Sequence, residues 1–238
     1  METIGFIGLG NLGTAIAQNI QNAGYPMVVY DIREGATKPL LKEGSRLAGA
    51  PDEVASLSDV TFTSLPGPRE VEDVTLGLHG VVNGIKEGGI YVDLSTSRPS
   101  LIRRIGEIFE EKSVKVLDAP VLTSPATAAD RQVVVMPSGD REVYQKLRPL
   151  FDSFADTVVY QGPLGMGSTC KLVNNMITLA VRQVVAEGLT LGVKAGLDLD
   201  SLMEAGNRMV LGHQKEGLEK TVFRGQFDPP SFRQALAR

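Results

Sequence analysis

Two short groups of residues in this 238-residue chain have types and spacings that could do chemistry. The first is Gly8-Leu9-Gly10-Asn11-Leu12-Gly13, which lies between an apolar β-type run and a helical pattern. In such a loop Gly8 permits a tight turn and Gly10 lets the backbone approach a pyrophosphate. Gly13 lets the helix pack closely on the strand while its first amides face the anion. Asp31 ends the next strand, where a carboxylate accepts hydrogen bonds from adenosine ribose hydroxyls and repels a 2′-phosphate. This favours NAD over NADP. Arg33 is the counterargument, because a nearby guanidinium is how such sites accept the extra phosphate. A surface carboxylate beside an ordinary glycine turn is the plainer reading, and the common register of strand, loop, helix and Asp31 weighs against it.

The second group is Lys171, Asn174 and Asn175, spaced so that a helix presents all three on one face. Hydride exchange between an alcohol carbon and a nicotinamide requires a proton to leave or join the same oxygen. A lysine whose pKa is lowered by desolvation can serve as that acid and base. Gly167, one turn earlier, leaves room for a ligand or cofactor to reach the amine. Taken alone, the spacing fits equally a snorkelling lysine beside a pair of helix-face amides. Its place after a dinucleotide loop favours the chemical reading.

The elements that would position these groups follow from the apolar pattern. Short β-branched runs alternate with helical stretches over the first two thirds of the chain, which is the signature of parallel βαβ units. Strands are expected at Ile4–Gly8, Met27–Tyr30, Val60–Leu65, Ile90–Leu94, Val114–Leu117, Val133–Met136 and Val158–Tyr160, with a helix over Leu12–Ala23. After Gly162 the strand signals stop. From Gly167 to about Lys194 runs a proline-free stretch rich in Leu, Val, Ala and Met, expected as a long helix buried between domains or against a second subunit. Further helices are expected at Leu199–Met209, at Gln214–Val222 and opening at Phe232. The expected fold class is therefore α/β. A doubly wound, mostly parallel Rossmann sheet over residues 1–162 precedes an all-α domain over residues 163–238, which serves substrate binding and dimerisation and stops short at its C-terminal end.

Composition narrows the function classes. A formal net charge of −4 argues against nucleic acid as a partner. The chain shows no apolar run of the roughly 18 residues that a membrane span needs and no basic, apolar leader, so a cytoplasmic protein without a membrane partner is expected. One cysteine, Cys170, excludes an intrachain disulfide framework, and His79 and His213 give no metal-ligand spacing. Both histidines are read as surface residues.

Three further segments resemble the β-hydroxyacid dehydrogenase family, which includes 3-hydroxyisobutyrate dehydrogenases and tartronate semialdehyde reductases. Asp93-Leu94-Ser95-Thr96-Ser97-Arg98-Pro99 is similar to the family's Asp-x-Ser-Thr-x-x-Pro, and Asp118-Ala119-Pro120-Val121 to the start of its substrate segment. Gly165-Met166-Gly167-Ser168-Thr169-Cys170-Lys171-Leu172-Val173-Asn174-Asn175 is similar to its catalytic segment. The resemblance implies an oxidoreductase acting between a nicotinamide cofactor and a small 3-hydroxy acid or its semialdehyde. The apolar breadth of the helix from Gly167 points to a homodimer or dimer-based oligomer. The resemblance also implies Lys171 as general acid/base, Asn175 as the amide that positions substrate and lysine, and Thr96 near the nicotinamide. The cofactor set is then Gly8, Gly10, Asn11, Leu12, Gly13, Asp31, Arg33, Leu65, Pro66 and Thr96. The substrate set is Leu122, Thr123, Ser124, Lys171, Asn174 and Asn175.

The chain departs from the family twice. Where the family continues Ser-Gly-Gly after the substrate segment, this chain has Leu122-Thr123-Ser124 and no glycine through Arg131. One hydroxyl is lost and two are brought in, and without glycine the loop is restricted in its path. A carboxylate clamp that uses Arg131 is one expectation, and a solvated loop is the other. In the family a segment like Phe232 to Leu236 leads into Lys-Asp-Leu and further helices, which this sequence does not reach; either it stops early or the protein is shortened. Imine reductases share the scaffold but generally lack the lysine. 6-Phosphogluconate dehydrogenases carry a histidine where this chain has Asn174, and non-catalytic chromatin-associated relatives replace the lysine.

Overall fold

Runs such as Ile4–Ile7, Val60–Thr63 and Ile90–Asp93 are buried at every residue, as strands covered on both faces must be. The computed structural model describes residues 2–33, 35–123 and 125–206. The chain divides into two compact units, Met1–Leu172 and Val173–Arg238. The strands of the first are β1 (Ile4–Ile7), β2 (Met27–Tyr30), β3 (Arg46–Leu47), β4 (Val60–Thr63), β5 (Ile90–Asp93), β6 (Lys115–Asp118), β7 (Val121–Leu122), β8 (Val134–Val135), β9 (Ser138–Gly139) and β10 (Thr157–Val158).

Seven of these form one sheet in the order β3-β2-β1-β4-β5-β6-β9, parallel except for β9, which runs antiparallel to β6. This is the doubly wound order, with its reversal between β1 and β4. Helices Asn11–Asn22 and Arg141–Asp152 bury Ile16, Ile20, Leu147 and Phe151 in a core that includes Phe6, Phe62 and Val92. Helices Pro51–Ser56, Pro68–Leu76 and Pro99–Glu110 bury Val54, Val71, Ile102 and Ile105 in a second core with Ile7, Val28 and Tyr91. Phe62 stands at the centre of the first core, with its ring 6.0 Å from that of Phe6, 6.4 Å from Phe151 and 6.3 Å from Phe154.

The structure corrects three sequence expectations. The runs at Val133–Met136 and Val158–Tyr160 do not extend the main sheet. They give β8 and β10, which pair with β7 in a separate three-stranded sheet. The two-residue strands β3, β7 and β9 went unseen because so short a strand has no periodicity and exists only through its partner.

The third correction concerns the long helix, which spans Met166–Lys194. It is long and apolar enough, by length and composition, to cross a membrane, a test that core helices of soluble proteins also pass, so the sequence does contain such a stretch. Within the described residues of this one chain, Met176, Ile177, Val184 and Leu191 on it are exposed. In the second unit Val185 and Leu189 are its buried apolar residues among those described, and they pack with Val181, Leu199, Leu202 and Met203. The expected helix at Leu199–Met209 is present as Leu199–Gly206 up to the last described residue. Those at Gln214–Val222 and from Phe232, with His213, lie outside the described residues.

Replacing the ring at the centre of the first core tests its weight. Phe62→Ala is expected to lower stability by about 3–5 kcal/mol, read as a shift in the urea unfolding midpoint.

Candidate active site

The main strands end level with one another, and the expected cofactor residues lie in the loops that follow and in the first turn of the helix Asn11–Asn22. Gly8, after β1, has a φ of +93°, and a side chain there would strike the Ser64 carbonyl after β4. A Cβ on Gly13 would overlap the carbonyl oxygen of Gly8, so the helix can rest on the loop only with hydrogen at that place. Gly10 differs, because a Cβ there would meet nothing within 4 Å. The backbone thus faces open space at the start of the helix Asn11–Asn22, and no side chain caps its N-terminus. Unsatisfied first-turn amides beside an open backbone suit a phosphate group. Asn11 is exposed there, and Leu12 leans on the first core.

Asp31 sits at the end of β2 and accepts from the backbone N–H of Leu9 at 2.6 Å and of Arg33 at 2.8 Å. The Arg33 guanidinium pairs with the same carboxylate at 3.1 Å and donates to the Leu9 carbonyl at 3.0 Å. Burial pushes the Asp31 carboxyl up, but the bonds from Arg33 and Leu9 outweigh it and hold the group below its ordinary value.

The loops after β4 and β5 are tied together. Asp93 ends β5 fully buried, and its Oδ1 accepts from the Thr63 hydroxyl at 2.9 Å and the Ser95 N–H at 3.0 Å. The Ser95 hydroxyl in turn accepts from the Leu65 N–H at 2.9 Å. The buried Tyr91 hydroxyl extends the network to Thr63 and Thr75. Leu65 and Thr96 are half-buried beside these anchors, and Pro66 is exposed. Asp93 Oδ2 has no hydrogen-bond partner among the described residues, and burial raises the carboxyl to about 6, helped by the nearby Asp118.

Asp118 ends β6 at the start of the lysine helix. It accepts from the N–H of Gly165 at 2.9 Å, the N–H of Ser168 at 2.6 Å and the Ser138 hydroxyl. Gly167 has a packing role, which replaces the expected ligand access: a side chain there would strike the Met136 carbonyl and come within 3.1 Å of Asp118 Oδ2. Lys171 is half-buried and donates from Nζ to the Val121 carbonyl at 2.8 Å. Desolvation lowers its amine to about 8. Asn174 and Asn175 follow on the same helix, half-buried, in the second unit.

In the altered loop, Leu122 belongs to β7, and the Thr123 hydroxyl donates to the Gln132 carbonyl at 2.9 Å and meets that of Thr127 at 3.1 Å. Ser124 lies outside the described residues. Arg131 takes a positive φ of 60°, and its guanidinium donates to the Asp152 carbonyl at the end of the helix Arg141–Asp152.

Residues 3–162 match the model of the NAD binding domain of 6-phosphogluconate dehydrogenase, and residues 165–236 match that of the NAD-binding region of NADP-dependent 3-hydroxyisobutyrate dehydrogenase. The chain belongs to the β-hydroxyacid dehydrogenase family. Among its relatives, the uncharacterized oxidoreductase YkwC of Bacillus subtilis is 31% identical, over 96% of this chain and 80% of that protein. The mitochondrial 3-hydroxyisobutyrate dehydrogenase of Mus musculus is 33% identical over 82% of this chain and 58% of that protein, so the chain spans about three fifths of the mouse enzyme. The solved 3-hydroxyisobutyrate dehydrogenase of Mycobacterium tuberculosis, studied with L-serine, is 28% identical with a TM-score of 0.79, over 88% of this chain and 71% of that one. As in the family, the cofactor is a nicotinamide dinucleotide, and the open face at Gly10 with its uncapped helix fits one.

Sequence reasoning singled out Thr96 of the family's Asp-x-Ser-Thr segment and passed over Asp93 and Ser95, which hold that segment in place. The available signal was the carboxylate at the end of an apolar strand. Because the folded Asp93 has a raised pKa, its contribution to stability is complete below 3.8 and is lost as pH rises through about 6. The loss is on the order of 3 kcal/mol. Asp93→Asn keeps an acceptor for Thr63 and Ser95 and carries no charge. It is expected to remove most of this decline, as measured by urea unfolding at several pH values between these limits.

Proposed function

We propose that this chain is an NAD-preferring oxidoreductase that interconverts a small 3-hydroxy acid and its semialdehyde, with Lys171 as general acid/base. The observation that carries the reading is the amine of Lys171. It is desolvated to about 8, hydrogen-bonded to the Val121 carbonyl among the described residues, and set on a helix that starts at the edge of a dinucleotide-binding domain. When bound at this edge, a nicotinamide would supply the hydride acceptor for oxidation and the hydride donor for reduction. In oxidation the neutral amine takes the hydroxyl proton as the carbon–hydrogen bond breaks. In reduction the ammonium gives that proton to the new alkoxide oxygen. Asn174 and Asn175 share the helix face of Lys171 at one-turn spacing, which supports their assignment to substrate, with Asn175 also orienting the amine.

Residues 1–162 are assigned to the cofactor and 163–238 to the substrate. Leu122, Thr123 and Ser124 are assigned to the acid group, although the Thr123 hydroxyl is engaged within its own loop. Exposed apolar side chains on Met166–Lys194 favour a homodimer, and a cytoplasmic setting is the simplest one for this chemistry. The preference for NAD rests on Asp31, whose carboxylate holds Arg33 to itself and would face a 2′-phosphate with like charge.

Steady-state absorbance at the nicotinamide band with a panel of small 3-hydroxy acids tests the reading. Lys171→Ala is expected to lower turnover by about 10²–10⁴-fold while the dissociation constant for NAD stays near that of the parent. In the parent, oxidation should rise with pH and level off above about 8, where the amine is neutral, and reduction should fall through the same range. Equal turnover in parent and variant overturns the role of Lys171. A parent that binds NAD but is inert on every acid points to a binding module. Asp31→Ser should narrow the preference for NAD over NADP by about tenfold or more in the same assay.

A further inference from the structure

We propose that Asp118 is a positioning residue for Lys171: an acceptor-only carboxylate that fixes the first turn of the lysine helix to the end of β6 and so sets where the amine stands. The inference rests on the reading of Lys171 as the acid/base. Asp118 is fully buried, and its hydrogen-bond partners among the described residues are all donors: two backbone N–H groups, of Gly165 and Ser168, and the Ser138 hydroxyl. The Ser138 oxygen also accepts from the Gly167 N–H at 2.9 Å, and the Met166 N–H reaches the Pro163 carbonyl at 3.1 Å. Four consecutive amides, residues 165 to 168, are thus all satisfied, two of them by Asp118 and one by its hydroxyl partner. Gly167 presses its bare backbone against the Met136 carbonyl, which leaves the turn no room to slide.

The same short segment grips the helix one turn later. Val121, three residues after Asp118, supplies the carbonyl that takes the Lys171 ammonium. Asp118 therefore fixes the helix start and Val121 the side-chain head, so the desolvation of the amine depends on the helix staying against this strand end. The charged groups beside this contact are Asp93, in register with Asp118 on β5, and Arg103, whose guanidinium lies next to Gly165. An amide cannot replace the carboxylate. Gly165 donates to Oδ1 and Ser168 to Oδ2, so in either orientation the amide nitrogen of Asp118→Asn would face a backbone N–H.

The test reads the lysine itself. In the full chain, acetylation of Lys171 by acetic anhydride, followed by mass spectrometry across pH, gives the titration of its amine without any turnover. The parent should titrate near 8. Asp118→Asn should titrate about one unit or more higher, toward the ordinary lysine value, as the loosened turn lets water reach the amine. Its kcat should fall by about 10–100-fold, with NAD affinity within about threefold of the parent. Ser138→Ala keeps both carboxylate caps and should shift the titration in the same direction by less. It decides the question if Asp118→Asn does not fold. A folded variant that is less stable but titrates where the parent does would show a purely structural carboxylate and overturn the proposal. If Lys171→Ala retains turnover while the titration still shifts, the acid/base reading fails and the positioning by Asp118 stands.

Discussion

Five parallel strands end in one row. Tyr30, Ile7, Thr63, Asp93 and Asp118 are successive register partners across β2, β1, β4, β5 and β6. The site depends on this alignment, since the segments that follow the row hold Asp31, Gly8, Leu65, Thr96 and Val121. A register slip in any one strand would lift its loop out of the common rim and turn its side chains to the opposite face. The apolar side chains that fill both cores hold the register, so the packing around Phe62 on one face and Tyr91 on the other is also what keeps the loops level.

Burial acts on the two ends of the site through one principle with opposite signs. Removing water disfavours charge, which raises the carboxyl of Asp93 and lowers the amine of Lys171. Among the described residues the neighbouring carboxylates on adjacent strands differ in hydrogen-bond supply: two donors and one empty oxygen for Asp93, three donors shared over both oxygens for Asp118.

Much of the architecture was legible because its signals are local. The glycine loop, Asp31 and the lysine helix each occupy a few consecutive residues or one helical repeat, and the four-residue central strands announce themselves as apolar runs. What escaped is defined by distant partners. Asp118 meets donors 20, 47 and 50 residues away, which nothing in its neighbourhood reveals. Arg131, free in the sequence to serve a carboxylate, is claimed by a carbonyl 21 residues away. The strands β3, β7 and β9 owe their existence to their neighbours. The apolar breadth of Met166–Lys194 signalled a helix correctly, but amphipathic pattern reports what a helix could bury and not what covers it.

The bond from the Leu65 N–H to the Ser95 hydroxyl has a consequence for binding. It makes one rim of two loops, each anchored to a buried network before any ligand arrives. The entropy of ordering those loops is then lost during folding and not when a dinucleotide docks, so more of the contact energy at this edge is available for affinity.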